Sequence, residues 1–348
     1  MARLDNLLKY AASMGASDLH IVAGSAPLVR KHGELRPLKA NTMSPQETLS
    51  LIGEILNTQQ REFFTKNLDL DFCYETSGIG RFRTNVLKQR NGVDAVFRII
   101  PDRIPTLEEL GFPQTVHQLL ENHQGLILVT GPAGCGKSTT LAAMIDWINS
   151  RKKYHIITVE DPIEYVHANK KAQVIQREVK RHTETFSTAL RAALREDPDV
   201  ILIGELRDLE TISMAITAAE TGHLVLATLH TRNAAKTVDR VIDAFPPEQQ
   251  NQIRAMFSES IRGVISQQLI PRADGDGRVL AYEILISTSA IANLIREGKS
   301  FQVPSLMQIG TKEGMMLMDQ CLAKLVGAKM IAPEQAFLRA ENKKLFTR

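Results

Sequence analysis

Residues 131–139, Gly-Pro-Ala-Gly-Cys-Gly-Lys-Ser-Thr, are the stretch of this chain whose chemistry is easiest to read. Gly131, Gly136, Lys137 and Ser138 stand where a phosphate-binding P-loop requires them. Glycines let successive backbone N–H groups curl around phosphate oxygens, with Ala133, Gly134, Cys135 and Thr139 filling out the cradle. Lys137 is placed to reach the β- and γ-phosphates, and the Ser138 hydroxyl to ligate Mg²⁺. A helix starting here points its positive end at the anion. The implied ligands are ATP and Mg²⁺. Four fixed positions coincide by accident in on the order of 1% of chains this long, so context must decide. It does: an apolar run, 126–130, enters the loop, and the helix-compatible run Thr139 to Asn149 leaves it.

Hydrolysis needs more than a loop. It needs a carboxylate to orient or deprotonate water, and usually a second cation. Open α/β sheets keep such groups at the carboxyl ends of their strands. Glu205 follows the run Asp199-Val-Ile-Leu-Ile, and Glu160, Asp161 and Glu164 follow His155 to Val159. Three carboxylates in five residues, stiffened by Pro162, suit a metal or water site, although an acidic loop is ordinarily just a solvated one. Glu205 is the first candidate for the base and Glu164 the second; Glu160 and Asp161 join Ser138 as candidate metal ligands. His223 and His230 bracket the next apolar run. His230 stands at its carboxyl end, where it can sense the γ-phosphate, whereas a lone histidine is often structural.

These groups need a sheet to hold them. From Gly125 onward, short β-rich apolar runs at 125–130, 155–159, 199–203 and 223–228 alternate with stretches long enough for crossover helices. That is the pattern of strands buried on both faces of a doubly wound α/β domain. From about 287 to the end the chain reads as helices. Residues 1–100 read instead as short helices and strands. Leu4, Leu7, Leu8 and Ala11 have helical spacing, and Asp18 to Ala23 and Leu28 onward read as strands. Ser44, Pro45 and Glu47 start a helix running to Leu56 with a capping box. Gly80 to Lys88 and Val93 to Ile100 predict a hairpin around Asn91-Gly92. Pro101 and Pro105 break helix and sheet alike, so a linker is expected over 101–112, between a first domain of 1–100 and a second of 113–348.

Composition narrows the function classes. With 348 residues and 43% hydrophobic residues, two cores can be filled. A net charge of +3, from 42 basic and 39 acidic residues, is too small to argue for nucleic acid. Cys73, Cys135 and Cys321 are isolated, which speaks against a disulfide framework or zinc site and fits a reducing compartment. No signal-peptide pattern opens the chain and no apolar run reaches 18 residues, so a cytoplasmic location is expected.

The longer motifs resemble the bacterial secretion ATPases, and within them the type IV pilus retraction ATPases, over nearly the whole chain. HIITVEDPIEY (155–165) is similar to the family's Asp box, LREDPDVILIGELRD (194–208) to its Walker B, which ends in Gly-Glu, and TGHLVLATLHT (221–231) to its His box. SDLHI (17–21) and GRFRTNVLKQRNGVDAVFRIIP (80–101) resemble its N-terminal segment. The resemblance implies an N-terminal PAS-like α+β domain joined to a RecA-like P-loop NTPase domain with a helical C-terminal part. It implies a homohexameric ATPase motor for pilus retraction and twitching motility, peripheral at the inner-membrane pilus base. Its implied partners are a membrane platform protein and other pilus ATPases. Among Arg81, Arg83 and Arg98, it points first to Arg81 and Arg98 as cations reaching nucleotide, some from a neighbouring subunit. The long N-terminal region and four-cysteine zinc insert of the extension enzymes are absent.

Three positions depart from the family pattern: Cys135, Leu206, and Ala292 in AIANLIRE (290–297), where the family has Arg. The last segment is linked in the family to retraction, which keeps an accessory or paralogous ATPase as an alternative. A nucleic-acid motor would need a basic channel with stacking aromatics. Lys170, Lys171, Arg177, Lys180, Arg181 and His182 supply charge without aromatics, so no nucleic-acid partner is expected. A non-catalytic ATP-binding assembly protein is disfavoured by the intact acidic residues.

Overall fold

The computed structural model describes residues 2–31, 33–101 and 103–346. Asp102 of the expected linker, Thr347 and Arg348 of the stretch expected to be helical, Met1 and His32 lie outside the described residues. Packing divides the chain into two units, one of residues 1–103 with 162–165 and the other of 104–161 with 166–348.

The first unit is an antiparallel sheet. Its strands are β1 (Asp18–Ile21), β2 (Leu28–Lys31), β3 (Glu34–Pro37), β4 (Asp69–Thr76), β5 (Gly80–Gln89) and β6 (Gly92–Ile100), in the order β3-β2-β1-β6-β5-β4. The helices are α1 (Arg3–Ser13), α2 (Pro45–Gly53) and α3 (Thr58–Asn67). Leu4, Leu8 and Ala11 of α1, at the expected spacing, bury against Phe82, Val86, Ala95 and Phe97. At the start of α2 the Ser44 hydroxyl accepts from Glu47 N while Glu47 accepts from Ser44 N, so the capping box forms. The β5–β6 hairpin turns on Arg90 and Asn91, one residue earlier than its sequence predicts, with Gln89 opposite Gly92. Gly92 serves close approach instead: a Cβ there would lie 3.0 Å from Ala23 Cβ.

The second unit carries a seven-stranded sheet. It contains β7 (Gly125–Thr130), β8 (His155–Glu160), β9 (Gln173–Glu178), β10 (Val200–Ile203), β11 (Leu224–Leu229), β12 (Ile261–Pro271) and β13 (Arg278–Ile286), in the order β13-β12-β7-β11-β10-β8-β9. Every pairing is parallel except β12–β13. Its helices are α4 (Gln114–Leu120), α5 (Lys137–Arg151), α6 (Phe186–Ala193), α7 (Leu209–Glu220), α8 (Ala234–Asp243), α9 (Pro247–Ser260), α10 (Ser289–Arg296), α11 (Val303–Ile309), α12 (Met318–Gly327) and α13 (Pro333–Arg339). Alternate residues of one strand feed two cores. Leu126 and Leu128 of β7 face α6 to α11, and Ile127 and Val129 face α4 and α5. Both faces are thus covered, as the continuous apolar runs require.

Three strands of this sheet lie outside the runs read from the sequence. Strand β9 (QVIQRE) lies at the sheet edge with alternating burial, inside the stretch that reads as merely basic. Strand β12 (IRGVISQQLIP) follows α9 with no turn residue between them and carries Ser266 and Gln267 in its buried middle. Its partner β13 runs back beside it. Between residues 288 and 346 the described elements are helical as expected, and an isolated bridge joins Ile284 to Met316. No helix among the described residues is long and apolar enough to cross a membrane.

Candidate active site

Strand β7 enters the loop 131–136 and α5 leaves it. Gly136 is the N-cap of α5 at φ 90°, a left-handed conformation open to glycine. Gly131 has no room for a side chain, since a Cβ would lie 2.3 Å from the carbonyl oxygen of Gln267. Pro132, Ala133, Gly134 and Ser138 are exposed, and Gly136, Lys137 and Thr139 half-buried. The Cys135 side chain points inward and is buried; burial pushes its thiol pKa up, against the opposing charge of Lys137. Only the backbone of Cys135, not its thiol, is left to face a ligand in the loop.

The Lys137 ammonium is held over the loop by the carbonyls of Gly131, at 2.8 Å, and Pro132, at 3.1 Å. It also lies 3.4 Å from His230 Nδ1. An ammonium only donates, so Nδ1 accepts and the imidazole carries its proton on Nε2. That nitrogen faces Glu205 Oε1 at 3.1 Å. The other oxygen, Glu205 Oε2, accepts from Arg207 Nε at 2.8 Å. Arg207 in turn lies 3.9 Å from Asp161 Oδ2. A continuous polar chain thus runs Lys137–His230–Glu205–Arg207–Asp161 across the carboxyl ends of β7, β11, β10 and β8.

The sheet fixes this chain. Leu206, buried, donates its N–H to Thr228 O on β11 at 3.0 Å, and Thr228 Oγ1 donates to Gly204 O. Glu205 is thereby pinned between two neighbouring strand ends. Asp208 then caps α7 by accepting from Thr211 N. Glu160 ends β8, and its Oε1 accepts from Thr158 Oγ1 at 2.7 Å and Gln176 Nε2 at 3.2 Å. No group of three His, Cys, Asp or Glu side chains among the described residues could hold a metal by itself. His223, at the amino end of β11, bonds the Ala218 carbonyl at the end of α7 and stands apart from this chain.

The remaining expected residues belong to the first unit. Glu164 pairs with Arg83 at 3.1 Å. Arg81 is not a solvated hairpin arginine: it is 19% exposed, pairs with Glu75 at 2.9 Å and donates to Ile163 O at 3.0 Å. Arg98 pairs with the buried Asp18 at 3.0 Å. Arg83 and Arg98 face each other across β5 and β6, a like-charge pairing that their acidic partners offset.

Several contributors carry no sequence signal of their own. Arg207 stands two residues past Glu205, inside the 194–208 run, and its residue type alone assigns it no role. Thr140 is one residue of the helix-compatible run, and Ser266 and Gln267 lie in a strand that the sequence pattern does not mark. Ser266, Gln267 and Thr140 acquire their roles only when β12 is laid beside β7, and Arg207 only when β10 is laid beside β8.

Comparison with known proteins tests the resemblance. Residues 2–334 match the profile of the Type II/IV secretion system protein family. The chain is 51% identical over 338 residues to the type IV pilus retraction ATPase PilT of Pseudomonas aeruginosa, covering 97% of this chain and 98% of that protein. It is 41% identical to the type IV pilus ATPase PilU of the same organism, covering 97% and 88%. The crystal structure of the pilus retraction motor PilT with bound ADP superimposes with a TM-score of 0.90 at 48% identity, covering 99% of each chain. The likeness spans nearly the whole chain, and the chain belongs to the Type II/IV secretion system protein family.

Proposed function

We propose that the chain is an ATP-hydrolysing motor subunit that powers type IV pilus retraction from a homohexameric ring. The observation that carries the chemistry is the link from Lys137 through His230 to Glu205. In this reading residues 131–139 hold the phosphates of ATP, and Glu205 orients the attacking water. Lys137 stabilises charge on the transferring phosphoryl group. His230 touches both, so loss of the γ-phosphate from Lys137 alters the hydrogen bonding of Glu205. The 51% identity to a retraction ATPase supports the choice of work.

The donor set fits Mg²⁺, which takes oxygen ligands, keeps several waters and needs few protein groups beside the phosphates. The exposed Ser138 hydroxyl at the start of α5 would hold it, with the Glu160 and Asp161 carboxylates at the end of β8 on the same edge of the sheet. Bound there, it would neutralise charge on the β- and γ-phosphates. Arg81 and Arg98 are the candidates for cations supplied to a neighbouring subunit, and Glu164 is the second candidate base. To act so, each of the three exchanges its present partner. A cytoplasmic ring docked on a membrane platform protein follows from the same reading.

The test is steady-state ATPase activity of the wild type beside Glu205→Gln, with the oligomeric mass taken in the same buffer. Turnover in a six-subunit ring, lost in the variant while nucleotide still binds, is the expected result. Turnover surviving in the variant moves the base to Glu164, and a wild type without turnover sinks the motor. One observation favours a second reading, an accessory retraction ATPase: Ala292, half-buried in α10, where the retraction family has Arg. Retraction that needs a second ATPase despite normal turnover would support it.

A further inference from the structure

Strand β12 is part of none of the family's motifs quoted above, yet two of its consecutive residues grip the phosphate loop. Ser266 Oγ lies 2.8 Å from Thr130 Oγ1, at the last residue of β7 before the loop. Gln267 reaches further. Its Nε2 donates to the Cys135 carbonyl at 2.8 Å, and its Oε1 accepts from Thr140 Oγ1 at 3.0 Å, in the first turn of α5. Its own carbonyl oxygen is the wall that forbids a side chain at Gly131. The entry, middle and exit of the loop are thus all fixed on Ser266 and Gln267.

The Gln267 side chain has 0% exposure, so its amide has no water to turn to. A buried amide left unpaired is costly, and the two bonds it makes are therefore held firmly. One of them has a directional consequence. In a trans peptide the C=O and the next N–H point in opposite directions. Drawing the Cys135 carbonyl toward β12 aims the Gly136 N–H away from β12. Loop N–H groups recognise phosphate only when they are aimed in advance, because reorienting them on binding subtracts from affinity.

We infer that Gln267 is a positioning residue for the nucleotide: it sets the Cys135–Gly136 peptide so that its N–H meets phosphate, and so sets ADP and ATP affinity without touching either. The inference rests on residues 131–139 being the phosphate site. Gln267→Leu keeps the approximate volume and removes the amide. ADP affinity by calorimetry is expected to fall about tenfold, the size of one lost buried hydrogen bond. KM for ATP should rise by a similar factor while kcat changes less than about threefold, the pattern of lost ground-state binding. Gln268→Leu, one residue along β12, should leave both unchanged. Thr140→Val should weaken ADP in the same direction, and the double variant with Gln267→Leu should fall short of the product of the two.

If Gln267→Leu does not fold, Gln267→Glu answers the question. A protonated carboxyl can donate to the Cys135 carbonyl and an ionised one cannot. Its ADP affinity is therefore expected to be weak at pH 8 and to recover toward wild type at pH 6. A folded Gln267→Leu protein within twofold of wild-type ADP affinity, or a Gln267→Glu protein matching wild type at both pH values, overturns the inference. Lys137→Ala separates the two levels. If it binds ADP as the wild type does, the loop assignment itself has failed; if it loses ADP while Gln267→Leu keeps it, only the role of Gln267 has.

Discussion

The two ends of strand β11 carry a histidine each, and the two do different things. At the amino end His223 bonds the carbonyl of Ala218, closing the end of α7 onto the strand. At the carboxyl end His230 lies between Lys137 and Glu205. Nearby residues follow the same division. The amino-end Asp199, beside β10, accepts from the His155 N–H and ties two strands together. The carboxyl-end Glu205 is gripped by a histidine and an arginine instead. Parallel strands align all their carboxyl ends on one edge, so loop, acid and histidine converge there and nowhere else. Chemistry and architecture thus use the same residue types, and strand direction separates them.

The sharpest test of that division is Glu205→Gln. Loss of the ionised carboxylate is expected to lower kcat by about 10³-fold, inside the range for general-base groups, with ADP affinity kept. A loss under tenfold would break the assignment of chemistry to this edge. A stability effect comes next. Glu283, on β13 opposite Ser266, accepts the N–H of Ala234, at the start of α8, at 2.7 Å and that of Met318, at the start of α12, at 3.3 Å. Burial pushes its pKa up to about 7 against those two donors, helped by the nearby Glu341 and Asp319. The folded state then keeps a proton that the unfolded chain releases near pH 4.5. Its contribution is full below pH 4.5 and is lost as pH rises through about 7, by up to ~3 kcal/mol. Unfolding free energy measured from pH 5 to pH 8 should fall less steeply in Glu283→Gln than in wild type; equal slopes would remove Glu283 as the cause.

Smaller effects separate the two histidines. His230→Gln should lower kcat about 30-fold, because it unlinks Glu205 from Lys137, with melting temperature nearly unchanged. His223→Gln should do the reverse, leaving turnover within twofold and costing about 1 kcal/mol of stability for one hydrogen bond to a helix end. Equal kinetic effects from the two variants would mean that the edges of the sheet are not distinguished in the way β11 suggests.

Much of this was legible beforehand. The loop, the strand before it and the acids at strand ends are written in short, contiguous runs, and α1 and the α2 capping box follow local rules. The β5–β6 turn slipped by one residue because Gly92 answers to a packing demand from Ala23, far away in sequence. Strand β9 hid behind polar residues at an edge, and β12 behind buried Ser266 and Gln267, whose partners are supplied by another element.

By itself the sequence marked residues 131–139 as the candidate phosphate loop and showed which strands are buried on both faces. Local spacing dictates both. Only the tertiary structure decided that Glu205 answers to His230 and Arg207, and that Gln267 steadies a loop 132 positions earlier in the chain. Those roles depend on which strands lie side by side, and strand order is settled by packing the two cores of the sheet as a whole.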